Sequence, residues 1–251
     1  MEKYNHLAYK FDGEGPLQTV LVHNAGGNHQ FMEPTFSYFS QKGKTLTIDL
    51  TGHGESDAPE REYTPGNYAQ DLLALCEHLG LENTLFIGLN YGGNVGLELH
   101  RRNPRIIEKL VMIEPPILME PWIVKHVEDH LEDLKTQDMG EYAKAVVDAI
   151  CVQPQPADRE VAIRAFEKTP QRVQYSTFES LLKWDKEFFS EKIDLPTLYI
   201  QTTVPYSLEE KVAPHFSNLT TGRVVGSGSW ATLEVPDQIH AMVDRFLSLS
   251  N

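Results

Sequence analysis

Cysteine is scarce in this chain: Cys76 and Cys151 are the only two among 251 residues. Two thiols build no disulfide framework, and that usage fits a reducing compartment. The first residues, Met1-Glu2-Lys3-Tyr4-Asn5-His6, lack a basic-then-apolar leader pattern, so the expected location is cytoplasmic. No apolar run approaches the ~18–20 residues that span a bilayer, and no membrane partner is expected. Positive charge is also short: 22 Lys and Arg against 36 Asp and Glu leave a net charge of -14. That balance excludes binding to a phosphate backbone, so no nucleic-acid partner is expected. Internal repeats, sustained heptads and low-complexity tracts are missing too, which removes solenoid and coiled-coil scaffolds.

What is present is a rhythm of strands and helices. Val20–Val22, Leu46–Leu50, Thr84–Gly88, Leu110–Ile113 and Thr197–Ile200 are short β-rich runs. Near-continuous apolar strands separated by helical patterns predict a buried, mostly parallel sheet. Tyr68–Leu79 has helical spacing and stops at Gly80, and Asn94–Arg102 reads as a helix ending before Pro104. From about Pro115 to Ile193 the rhythm breaks. Glu120–Leu134, Gly140–Cys151, Asp158–Glu167 and Gln171–Lys183 are helical candidates, punctuated by Pro154, Pro156 and Pro170. The expectation is an α/β core formed by residues 1–115 and 194–251, with residues 116–193 inserted as an all-helical cap.

Four short motifs follow one another along the chain. His23-Asn24-Ala25-Gly26-Gly27 follows one strand and Asp49-Leu50-Thr51-Gly52-His53-Gly54-Glu55-Ser56-Asp57 the next. Gly88-Leu89-Asn90-Tyr91-Gly92-Gly93 has the shape of a nucleophile elbow, and Gly226-Ser227-Gly228-Ser229-Trp230 precedes Leu233-Glu234-Val235-Pro236-Asp237. In this order and spacing, over nearly the whole chain, they resemble the capped α/β-hydrolase superfamily of esterases, lactonases and dehalogenases. The resemblance implies a mostly parallel eight-stranded sheet, helices on both faces and a helical cap over a pocket.

It also implies a catalytic triad, and here the chain departs from the pattern. The nucleophile position holds Asn90, whose carboxamide is a poor nucleophile and a non-base. Asn is nonetheless one of the few residues that tolerate the positive φ of such an elbow. The histidine position, seven residues before Pro236, holds Ser229, which cannot act as a base near pH 7. The acid is either absent from Gln201-Thr202-Thr203-Val204-Pro205-Tyr206 or supplied by Glu114, which equally reads as a pocket-edge carboxylate. By position, the family's oxyanion hole would use the backbone N–H groups of Ala25 and Tyr91, in a loop where Asn24 follows His23. No cofactor or metal is implied.

For other residues a plainer role competes with a functional one. His29, in the oxyanion-side loop, is a candidate replacement base pointing into the pocket. His126 and His130 are four apart and share a helix face; a metal would need a third ligand, with Asp129 or Asp133 nearby, and a solvated face is the preferred reading. Cys76 falls on an apolar helix face and reads as core, while Cys151 has no evident His partner. Trp230, Trp122 and Trp184 suit either an apolar ligand pocket or core packing. His53, between two turn glycines, reads as structural.

The sequence therefore favours a degenerate hydrolase-fold protein, monomer or homodimer, that binds a small, largely apolar molecule as sensor, carrier or non-hydrolytic catalyst. A second reading is a lyase, cyclase or isomerase that uses the surviving oxyanion donors. A third is an inactivated variant of an ester, lactone or haloalkane-type hydrolase, since Asn silences an Asp nucleophile; the second substitution at Ser229 argues against it. Efficient Ser-His ester hydrolysis is not expected.

Overall fold

A computed structural model of the chain describes residues 1–150, 152, 155–190 and 192–249. Among these residues seven strands occur: β1 (Glu2–Tyr4), β2 (Leu7–Val22), β3 (Gly43–Asp49), β4 (Thr84–Leu89), β5 (Ile107–Ile113), β6 (Thr197–Gln201) and β7 (Leu219–Arg223). They form one sheet in the order β1-β2-β4-β5-β6-β7, with β3 paired to β2. Seven strands replace the eight expected, and the register shows why. Ala8 pairs with Asp49 and Asp12 with Thr45, whereas Thr19, Val20 and Leu21 pair with Thr45, Leu46 and Thr47 of the same strand. The two ends of one extended segment thus embrace β3 from both sides. The reversal between them runs through Gly13 and Gly15, at φ 92° and 132°, where side chains are strained.

From the end of β2 onward the pairing is parallel: Val22 faces Gly88, Leu89 faces Ile113, and Ile113 faces Ile200. The carboxyl ends of β2, β4, β5 and β6 therefore lie in a row. In open α/β sheets the loops at that edge are where ligands bind.

Strand alternation divides the core. Val20, Val22, Phe86, Leu110 and Met112 pack with Tyr68, Leu72, Cys76, Val95 and Leu99, which come from α2 (Pro65–Leu79) and α3 (Tyr91–Arg102). Leu21, Leu85, Ile87, Val111 and Ile113 face the other way. There they meet Phe36 and Phe39 of α1 (Glu33–Phe39) and Ile239, Val243 and Phe246 of the last helix. Each such side chain contributes about 1.5–3 kcal/mol when removed from water. The expected helix starting at Tyr68 begins one turn earlier, because Thr64 Oγ1 accepts the Asn67 N–H and Pro65 occupies the first turn. It stops at Gly80, φ 64°, as expected. Cys76 is buried core, and burial pushes its thiol up to about 12. Cys151 lies outside the described residues.

Between β5 and β6 the described residues form four inserted helices: α4 (Pro121–Thr136), α5 (Met139–Ile150), α6 (Pro156–Lys168) and α7 (Gln171–Phe188). They match the four helical runs read from sequence to within a few residues. Short helices α8 (Glu209–Val212) and α9 (Ala231–Glu234) and the long α10 (Pro236–Leu249) follow. None of the described helices is long and apolar enough to cross a membrane.

His53 does hold structure, and His23 joins it. His23 Nδ1 donates to the Asn24 carbonyl (2.7 Å) while its Nε2 accepts from Leu50 N (2.9 Å). His53 Nε2 accepts from Gly26 N at 3.2 Å, and its Nδ1 faces the Thr51 carbonyl. Both rings are buried. Burial lowers their pKa from 6.5 to about 4 for His23 and about 3 for His53, against a smaller upward pull from Asp49. A depressed folded pKa means that the unfolded chain takes up the proton first. Stability is thus unaffected above pH 6.5 and falls below it, by up to about 1.4 kcal/mol per pH unit for each histidine. Thermal unfolding followed by circular dichroism should give a constant midpoint from pH 8 to 7 and a falling one from pH 6.5 towards 4. A midpoint unchanged across the lower range would disprove this account.

Candidate functional site

The sharpest feature of the row of strand ends is the turn from β4 into α3. Asn90 sits there with φ 49° and ψ -117°, its N–H donating to the Ile113 carbonyl at 2.7 Å. The turn is possible only because its neighbours are small. A Cβ on Gly88 would come within 2.4 Å of the Gly92 carbonyl carbon, and one on Gly92 within 2.3 Å of the Val22 oxygen. These are backbone contacts, which no rotamer change relieves.

Both ends of the Asn90 carboxamide are hydrogen-bonded. Its Oδ1 accepts from Tyr91 N at 2.9 Å, and its Nδ2 donates to the Glu114 carbonyl at 3.2 Å. The Tyr91 N–H, expected as an open oxyanion donor, is therefore already taken by the residue beside it. The Tyr91 side chain is buried, its hydroxyl paired with that of Ser180 at 3.0 Å. Ala25 lines the cavity described below, and its N–H has no acceptor among the described residues. Asn24 lines it too, its Nδ2 donating to the Ala25 carbonyl at 3.0 Å.

Glu114 is fully buried at φ 49°. Its carboxylate accepts from Thr202 N (2.6 Å), Thr202 Oγ1 (2.9 Å) and Tyr206 N (2.6 Å), all in the loop after β6. Burial raises its pKa, and the bonds from Thr202 and Tyr206 oppose that rise only in part. The carboxylate ties two site loops together and does not bond to Ser229. Ser229 Oγ instead pairs with the Tyr206 hydroxyl at 2.6 Å. Burial pushes that phenol up to about 12, so it stays neutral near pH 7. The turn that carries Ser229 is held by Glu234, whose Oε2 accepts from Ser227 Oγ (2.6 Å) and Gly228 N (2.8 Å). Trp230 packs edge-on against Phe31 at 5.3 Å and also lines the cavity, so it serves both of its expected roles.

His29 does not belong to this site. Its ring Nδ1 and backbone N lie 2.9 and 2.6 Å from Asp49 Oδ1, and the ring does not line the cavity. Asp49 is fully buried; burial alone would raise its pKa, but the His29 bond and the nearby imidazoles hold it low. An unpaired buried carboxylate is costly, so this pairing draws His29 away from the pocket.

Asn24, Ala25, Asn90, Tyr206, Ser229 and Trp230 line one wall of a mostly apolar cavity. Ile123, Val127, Phe166, Phe178 and Leu181 of the inserted helices line it as well. Its free volume is about 40 Å³, about that of one or two water molecules. His126 and His130 also line it, which overturns the solvated-face reading. His130 is buried, its Nε2 3.0 Å from that of His126, and its ring packs against Phe178 and Tyr142. The sequence held the signal: His130 occupies the same stripe as Ile123, Val127 and Leu134 on α4. Tyr206 carries no such signal, because only the folded loop brings it to Ser229.

This fold and this turn define an α/β-hydrolase architecture, and known proteins of that architecture match the chain. The family model described as alpha/beta hydrolase fold matches residues 19–206; the chain belongs to that family. It is 26% identical over 261 residues to a Caulobacter vibrioides protein named "Putative carbamate hydrolase RutD", covering 96% of this chain and 95% of that one. Among solved structures, the enol-lactonase of Burkholderia xenovorans LB400 superposes with a TM-score of 0.85 at 22% identity, covering 96% of each chain. A thermophilic esterase from Thermogutta terrifontis does so with a TM-score of 0.84 at 19% identity, covering 96% of this chain and 93% of that one.

The elbow's close contacts predict that Gly92→Ala lowers unfolding free energy by about 2 kcal/mol or more, because backbone must move. Denaturant titration measures this. A loss below about 0.5 kcal/mol would show that the turn is not as tightly packed as described.

Proposed function

We propose that this chain is a ligand-binding member of the α/β-hydrolase family that has lost serine-type hydrolysis. In this reading residues 116–193 act as a cap over a pocket on the core formed by 1–115 and 194–251, and the pocket takes a small, largely apolar molecule. The observation that carries it is the state of Asn90. Its carboxamide keeps the strained turn, presents no nucleophile and fills the Tyr91 N–H that an oxyanion would need. Ser229 supports the same reading, since its partner is a neutral phenol and not a base. Apolar walls around a few polar groups suit a small organic ligand. A ligand larger than this cavity is accommodated by shifts of the lining side chains. The net charge of -14 supports a protein without nucleic-acid partners.

A non-hydrolytic reaction is the second reading, favoured by the imidazoles of His126 and His130 in the cavity wall. The occupied Tyr91 N–H weighs against it, because an anionic intermediate would have to displace the Asn90 oxygen.

The test is turnover of short p-nitrophenyl esters, thioesters and lactones, with fluorophosphonate labelling in parallel. The chain is compared with a variant carrying Asn90→Ser, Ser229→His and Tyr206→Ala, the last because the phenol stands where an imidazole must go. The chain should stay at the buffer rate and unlabelled. The variant should be labelled and exceed it by about tenfold or more. Turnover by the chain itself, abolished by Asn90→Ala, would refute the reading.

A further inference from the structure

The cavity has a larger neighbour. A groove of about 560 Å³ free volume lies against the inserted helices, lined by Leu118, Met119, Val124, Leu181, Leu182 and Phe189. Glu128 and Ser190 also line it and are exposed, so the groove reaches the protein surface. The cavity itself has only about 40 Å³. Among the described residues Leu181 alone lines both. It is buried, and its side chain forms the wall between the two spaces.

Helical spacing explains the shared wall. On α4, Ile123 and Val127 line the cavity, while Val124 and Glu128, each one position further on, line the groove. On α7, Phe178 lines the cavity and Leu182 the groove, with Leu181 serving both. Successive helical residues are turned by about 100°, so each helix gives one stripe to the cavity and the next to the groove. The two helices pack against each other, and Leu181 fills the passage beside their contact. A leucine side chain moves between staggered rotamers without any change of backbone. The loop that leads from β5 to α4 is strained beside the groove, with Leu118 at φ 46°. Strain of this kind gathers at ligand clamps and switch regions.

We propose that the groove is a second subsite of the cavity, that Leu181 is the gate between them, and that the molecule bound is a neutral compound with one unbranched aliphatic chain. The polar head sits in the cavity beside Asn90, Tyr206 and Ser229, and the chain passes Leu181 to lie along Val124 and Leu182. The assignment rests on the cavity being a ligand site, as proposed above. Displacing one leucine side chain opens a gap as wide as a single hydrocarbon chain, whereas a ring requires α4 and α7 to part. Glu128 in the groove and the net charge of -14 disfavour an anion. An ionised head in a mostly apolar cavity is costly without a charged partner.

The experiment is isothermal titration of the full chain with linear primary alcohols from butanol to decanol. Leu181→Trp, which plugs the gate, and Val124→Lys, which lines the groove and not the cavity, are titrated in parallel. Circular dichroism confirms that each is folded, and the half-buried Val124 gives the safer variant should Leu181→Trp unfold. Affinity is expected to rise about fourfold for each added methylene. In Val124→Lys butanol should bind as before while the gain with chain length is lost, and in Leu181→Trp decanol should bind no better than butanol. Cyclodecanol, with as many carbons and no free chain, should bind the unaltered protein no better than butanol. If butanol binds and longer chains add nothing, the groove is not a subsite and the cavity reading stands. Decanol binding that neither variant weakens places the chain elsewhere and overturns the proposal. Failure of every alcohol to bind overturns it as well, while the turnover and labelling test decides the loss of hydrolysis independently. Cyclodecanol binding as tightly as decanol overturns the choice of an unbranched chain.

Discussion

The backbone packing around Asn90 is the constraint on which the site depends. Gly88 and Gly92 let β4 and α3 approach until backbone touches backbone, and the residue between them must accept positive φ. A serine, an aspartate or an asparagine can occupy that position; a β-branched residue would add steric strain. Asn90, at φ 49°, preserves the architecture of a sharp strand-to-helix elbow. The same side chain closes the gap to the neighbouring strand by donating to the Glu114 carbonyl.

The surrounding groups are arranged around that turn. Glu114 is bound by the loop after β6 and serves to position Tyr206. The Tyr206 phenol meets Ser229, so the region where a base would stand is occupied by a neutral hydrogen-bonded pair. On the other side, buried neutral His23 and His53 bind backbone groups and shape the loop that carries Ala25. The titratable groups of the core side of the site therefore hold loops together. The imidazoles that line the cavity belong to the inserted helices.

The motifs with local geometry are legible without the structure. The elbow, the glycine stop at Gly80, the four inserted helices and the Ser229 turn each depend on short-range backbone requirements, which residue type reveals directly. The strand count is not legible. Leu7–Val22 doubles back around β3 as one extended segment, and Leu7–Asp12 alternates too weakly to stand out. The place of His29 escapes a sequence reading because Asp49, twenty residues away, binds its ring. The packing partners of His130 escape it as well, because Phe178 and Tyr142 come from two other helices.

The sequence by itself determined the family, the order of elements and the residues, Asn90 and Ser229, that stand at the elbow and in the turn before α9. These follow from residue identity at positions where backbone geometry admits few alternatives. Tertiary structure alone decided which polar atoms remain available. Tyr91 N–H is closed by Asn90, Ser229 is paired with Tyr206, and two histidines of the inserted helices face the cavity. Hydrogen-bond partners and burial are set by residues far apart in the chain, and a side chain's chemistry depends on them as much as on its type.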